Sequence, residues 1–167
     1  DTPHHGSYTI DFLMKAPKPL VKVAAFGTDV WMKILGDKHP ASYSCFDLFR
    51  TETANRFNDD NPAPDNIYCQ SYAFKCDGAF SDPVFCFTYP VVRRFDGDND
   101  GMVSVRSAEW ENFRGVRTSP SKRGISHADV VDWTRMKFTS RKPEDDQVSD
   151  IVVFYVDMIK ELKAMGY

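Results

Sequence analysis

The chain has 167 residues, of which 42% are hydrophobic and 27% charged, with a formal net charge of −3. This is the composition of one globular domain with enough length to bury a core, and it excludes a disordered chain. Lysines and arginines are scattered, with only the short pairs Arg93-Arg94 and Lys122-Arg123, so no nucleic-acid partner is expected; no apolar run is long enough to span a bilayer.

The chain opens on Asp1-Thr2-Pro3-His4-His5 without an initiator Met or a signal peptide, which reads as a processing, proteolysis or cloning boundary. Residues 1–9 are polar and turn-like. From Val21 to Leu35, the residues Val21, Ala24, Ala25, Thr28, Trp31, Met32 and Leu35 keep helical spacing and predict a helix ending near Gly36. Ser44 to Phe57 reads as a second helical stretch, with Asp47 or Thr51 as cap and Phe46, Phe49 and Phe57 as apolar contacts. Residues 58–66 are a loop by composition. Ile67 to Phe74, rich in aromatic and β-branched residues, predicts a strand. Cys76 to Pro90 reads as an irregular aromatic loop, Phe113 to Thr118 as a short strand, and Ala128 to Phe138 as a helix entered through Ser126-His127.

The last helix is the clearest element. Ile151, Tyr155, Met158, Leu162 and Met165 form one stripe, broadened by Val152, Phe154 and Ile159. Ser149 is the expected N-cap, Asp150 lies in the first turn, and Gly166 ends the helix. Cys45, Cys69, Cys76 and Cys86 form no CxxC pair and stand at no zinc spacing with a histidine. Their even number suits disulfides or buried thiols equally. Trp31, Trp110 and Trp133 are expected in core or rim packing, and Cys69 in strand packing. The inventory holds many amphipathic helices but one or two strands, which cannot close a sheet core by themselves.

Two chemistries compete for the acidic stretch Phe95-Asp96-Gly97-Asp98-Asn99-Asp100-Gly101-Met102-Val103. Counted as a calcium loop from Asp96, it places Asp98 and Asp100 at ligand positions 3 and 5 and Gly101 at position 6. Position 12 is Ser107, where a bidentate carboxylate is needed, and the residues before Asp96 do not read as an entering helix. A non-catalytic calcium-binding module using Asp96, Asp98 and Asp100 is therefore the second reading. In the first, Asp100 is the acid of a Ser-His-Asp hydrolase and His127 its base. The acid orients one imidazole nitrogen and stabilises the imidazolium, while the other nitrogen faces the nucleophile. In α/β-hydrolases the chain order is nucleophile, acid, base, and Asp100 followed by His127 suits that order.

Further segments support the hydrolase reading. Thr2-Pro3-His4-His5-Gly6-Ser7, Phe46-Asp47-Leu48 through Phe57-Asn58, Tyr68-Cys69-Gln70-Ser71-Tyr72-Ala73, Asn99-Asp100-Gly101-Met102-Val103-Ser104 and His127-Ala128-Asp129 stand in one order along nearly the whole chain. This ordered set resembles the bacterial triacylglycerol lipases of the Pseudomonas and Burkholderia type and their Gram-positive relatives. His5 stands where many of those relatives have Arg, and no Gly-x-Ser-x-Gly occurs.

The resemblance implies the C-terminal part of an α/β-hydrolase fold: late strands, lid-region helices over residues 10–60, and a terminal helix. It implies Asp100 as triad acid, His127 as triad base and Asp129 as a ligand of a structural calcium, with Asp77 and Asp82 in the same region. No cofactor is implied for the chemistry. The expected partners are an N-terminal fragment that carries the nucleophile and completes the sheet, and an acylglycerol or other ester at a lipid surface. A secreted protein is favoured by the same resemblance. The chain alone is expected to be inactive, because it supplies neither nucleophile nor oxyanion donors.

Overall fold

Four helices precede the first strand in a computed structural model that describes residues 2–133, 135, 137–139 and 141–167. Helix α1 spans Tyr8–Met14, so the polar opening gives way to helix at Tyr8. Helix α2, Lys18–Ile34, carries Pro19 in its first turn, where a missing N–H costs no hydrogen bond. It buries Val21 and Ala25, one turn apart on one face. The stretch expected as one helix from Ser44 to Phe57 is two, α3 (Ser42–Leu48) and α4 (Thr51–Asp60). Neither Asp47 nor Thr51 caps α4 through its side chain. Instead Asp11, from α1, accepts the Thr51 N–H at 3.1 Å and the Thr51 hydroxyl. The cap is tertiary, so it leaves no mark in local sequence.

Strands β1 (Ser71–Phe74) and β2 (Phe113–Arg117) pair in parallel, with Ser71 opposite Phe113, Ala73 opposite Val116 and an irregularity between them. β2 matches its expected position. The strand expected over Ile67–Phe74 is realised only in its last four residues, because pairing with β2 starts at Ser71. A parallel pair needs a long crossover, and residues 75–112 supply it. They hold a short 3₁₀ turn (Pro83–Phe85), helix α5 (Thr88–Asp96), the acidic loop and helix α6 (Val105–Ala108). The acidic loop is therefore entered by a helix, contrary to the sequence reading. Pro90 is the third residue of α5, where an N–H would lack an intrahelical acceptor in any case.

Adjacent residues of β1 point to opposite faces, and each face has its own core. Phe74 packs with Ile125, Val130, Val148 and Ile151, flanked by Tyr72, Phe138, Phe154 and Tyr155. Ala73 packs with Val103 and Ala108, flanked by Met102, Val105, Phe113 and Val116. Helix α7 (Ile151–Ala164) closes the first core; its cap is Asp150, which accepts the N–H groups of Val152 and Val153, and not Ser149. The helix expected over Ala128–Phe138 is one 3₁₀ turn, Asp129–Val131, ended by Asp132 at φ +52°; residues 134 and 136 of that stretch lie outside the described residues. All four cysteines are free thiols. Among the described residues no helix is long and apolar enough to cross a membrane.

Candidate active site

Both candidate catalytic loops hang from the carboxyl end of β1. Past Phe74 the Cys76 N–H donates to the Asn99 carbonyl at 2.8 Å, which fastens the acidic loop. From the other side the Ile125 N–H donates to the Lys75 carbonyl at 2.9 Å, and Cys76 bridges Gly124, which fastens the loop of His127. Gly124, at φ +73°, lies so close that an added Cβ would stand 2.5 Å from the Lys75 oxygen. Loops at the carboxyl ends of parallel strands are where open α/β sheets place their sites.

Asp100 and His127 meet there. Asp100 is fully buried, and its Oδ2 lies 2.7 Å from His127 Nδ1. Its Oδ1 accepts the N–H groups of Met102 at 2.9 Å and Val103 at 2.7 Å. The carboxylate is thus held by backbone on one oxygen and spent on the imidazole with the other. The His127 N–H in turn donates to the Asp100 carbonyl at 2.9 Å, so backbone and side chain both tie the pair. Asn99 is buried beneath the turn; its amide donates to the Gly97 carbonyl and its Oδ1 accepts the Gly101 N–H. Gly101, at φ +104°, leaves room for Phe85, whose Cβ would stand 2.6 Å from an added methyl. Phe85 meets the His127 ring edge-on with centroids 5.9 Å apart.

The His127 side chain is 30% exposed. Its Nδ1 is committed to Asp100, and its Nε2 makes no hydrogen bond among the described residues. Ser126, beside it, is no nucleophile: it is fully buried and donates its hydroxyl to Asp82 Oδ2 at 2.6 Å. Cys76 is equally inert. Burial, with the charge of Asp100 adding to it, pushes its thiol up to about 12, so it stays neutral and faces the carbonyls of Asp100 and Ile125.

The three alternating carboxylates do not converge. Asp96 takes the Ser104 hydroxyl and lies 3.6 Å from Arg106; Asp98 pairs with Lys75 at 3.2 Å and with Arg93; Asp100 holds His127. Asp129 and Asp82 do approach one another, but around Arg123. Asp77 is exposed. Calcium takes six to eight oxygens, and no group of three or more metal-binding side chains occurs among the described residues. The carboxylate oxygens of Asp82 and Asp129 already accept N–H or O–H donors. This donor set does not suit a calcium ion.

The amino-terminal segment packs against the same region. Ser7 donates to the Met102 carbonyl, the His5 N–H donates to the Ser107 carbonyl, and the Ser107 hydroxyl donates to Gly6. His5 Nδ1 lies 2.7 Å from Asn55 Oδ1, and His4 stacks on Trp110 at 4.8 Å. Sequence reasoning gave no site role to His4, Asn99, Phe85, Ser126 or Arg123, although Asn99 stood in the acid turn and Ser126 at the entry of the expected helix. Only Asn99 carried a local signal, its place in an Asx-rich turn.

A buried carboxylate clamped by backbone N–H groups onto a partly exposed imidazole is the pairing that Ser-His-Asp hydrolases use for acid and base. The chain is similar to triacylglycerol lipase 2 of Saccharomyces cerevisiae, with 26% identity over 174 residues, covering 99% of this chain and 48% of that protein. The relationship to lipases expected from the ordered motifs is thus found along the whole chain. The chain spans about half the length of this curated relative. A Bacillus licheniformis lipase, crystallised in its mature form, matches with a TM-score of 0.45 and 25% identity over 69% of this chain and 43% of that one. No family model matches.

Proposed function

We propose that Asp100 and His127 are the acid and base of a Ser-His-Asp triad in an α/β-hydrolase that cleaves carboxylic esters, with acylglycerols as substrate class. The observation that carries this reading is the 2.7 Å contact between Asp100 Oδ2 and His127 Nδ1, made by a fully buried carboxylate to a partly exposed ring. Asp100 fixes the tautomer with the proton on Nδ1, which leaves Nε2 as the base. His127 Nε2 takes the proton of a serine hydroxyl as that oxygen attacks the ester carbonyl. It then gives the proton to the departing alcohol, and water hydrolyses the acyl-enzyme by the same route. The serine belongs to a segment outside these 167 residues, which contain no Gly-x-Ser-x-Gly. The half-length match to a longer lipase supports both that placement and the substrate class.

Residues 10–60 act as the lid region in this reading. Helix α2 supports it by turning Leu20, Val23, Phe26, Trp31 and Ile34 outward, an apolar surface suited to acyl chains or a lipid interface. Residues 1–167 alone would then be inactive.

The test is hydrolysis of a short-chain p-nitrophenyl ester and of tributyrin by the full-length gene product. His127→Ala and Asp100→Asn should each lower kcat by about 10⁴-fold, while Asp98→Ala, which touches only surface cations, should leave it near wild type. Equal activity in all three variants would sink the reading.

A further inference from the structure

The loop of His127 contains a second charged constellation that the proposed triad does not use. Asp82 and Asp129 are both buried, at 5% and 1% exposure. Two buried carboxylates need compensation, since an unpaired one carries a large desolvation cost. Among the described residues the cation that reaches both is Arg123. Its guanidinium forks onto Asp129, Nη1 at 2.8 Å from Oδ2 and Nη2 at 3.0 Å from Oδ1, and Nη2 stands 3.7 Å from Asp82 Oδ2. Its Nε donates to the Ser81 carbonyl at 2.6 Å.

Ser126 is bound into the same group. Its N–H donates to Asp129 Oδ2 at 2.8 Å and its hydroxyl to Asp82 Oδ2 at 2.6 Å. Asp82 is fixed from its own side, with Oδ1 accepting the Val84 N–H at 2.9 Å. The turn carrying Phe85 and the loop carrying His127 are therefore joined through two carboxylates, one hydroxyl and one guanidinium. The next residue after Ser126 is His127 itself.

We propose that the Arg123 guanidinium is a built-in cation for this loop: it joins Asp82 to Asp129, positions His127 through Ser126, and makes the loop independent of a divalent metal. Arginine suits the task. Its planar fork matches a carboxylate with two parallel hydrogen bonds and keeps its charge at any working pH. A calcium ion would have to displace the donors that these carboxylates already hold. Arg123 is a positioning residue, since it touches neither His127 nor any reacting atom.

The experiment follows thermal unfolding and the far-downfield proton signal of the His127 Nδ1–H in the full-length gene product. With a chelator or with millimolar calcium the unmodified protein should keep its Tm to within about 1 °C and keep the signal. Arg123→Ala should lower Tm by about 4 °C or more and broaden or abolish the signal. Arg123→Lys, which keeps the charge and loses the fork, should fall between them. A chelator-induced fall in the Tm of the unmodified protein would overturn the proposal. So would an Arg123→Ala variant with unchanged Tm and signal. Should Arg123→Ala fail to fold, the chelator result and Arg123→Lys decide. None of these readouts uses a substrate, so absence of ester turnover would count against the ester reading alone.

Discussion

At the scale of single residues, the pair at the candidate site is asymmetric: the acid is sealed and the base is reachable. Burial strengthens the carboxylate–imidazole contact by removing competing water, and partial exposure leaves the base open to a third group. A second histidine shows the opposite use of burial. His4 stacks on Trp110, and burial together with the neighbouring His5 holds its pKa below the ordinary value. The folded chain thus prefers neutral His4. That contribution is present above the unfolded pKa, about 6.5, and is lost as pH falls from there through the folded value. His4→Phe keeps a stacking ring and removes the proton. Its urea midpoint should fall less than that of the unmodified protein between neutral and mildly acidic pH, and parallel pH profiles would contradict the assignment. His4 had no assignable role in the sequence because its partner Trp110 lies far along the chain. Asp100 and His127 were legible because their order and turn context are local. Arg123 was not, since a basic residue beside Lys122 reads as surface until Asp82 and Asp129 are placed around it.

At the scale of elements, the decisive object is the crossover between β1 and β2. It delivers the acidic loop to the carboxyl end of β1, where the loop of His127 also docks. Gly124 sits at this junction with no space for a side chain. Gly124→Ala should cost about 2 kcal/mol or more, through both strain and steric conflict. Denaturant unfolding measures that cost, and a midpoint within error of the unmodified protein would show that the two loops are not in such close contact. Helices α2 and α7 and strand β2 were readable from periodicity and composition, although among their residues only Val21, Ala25 and Ile151 are buried. Helix α5 was not, because Pro90 reads as a breaker unless its place in the first turn is known. The helix expected after His127 fails in the described residues for a related reason: Asp132 adopts a left-handed conformation that ends the turn.

At the scale of the whole molecule, the described residues form two small cores around a two-stranded sheet and leave large apolar side chains outside. Phe80 is 95% exposed, Phe87 85% and Ile34 72%. On α7 only Ile151 is buried, and Val152 and Ile159, expected to broaden the core stripe, point outward with Val156. Apolar surface of this extent is seldom left to water. Residues 1–167 should therefore bind the dye ANS strongly or self-associate. A monomeric, dye-silent 167-residue chain would show that this surface needs no cover. The shared anchorage at Lys75 and Cys76 has a further consequence. Any shift of that strand end carries Asp100 and His127 together, so their mutual distance is protected against motion of the molecule. Their aim at a third group is not, and alignment with a nucleophile would depend on how firmly that group is tied to the same strand.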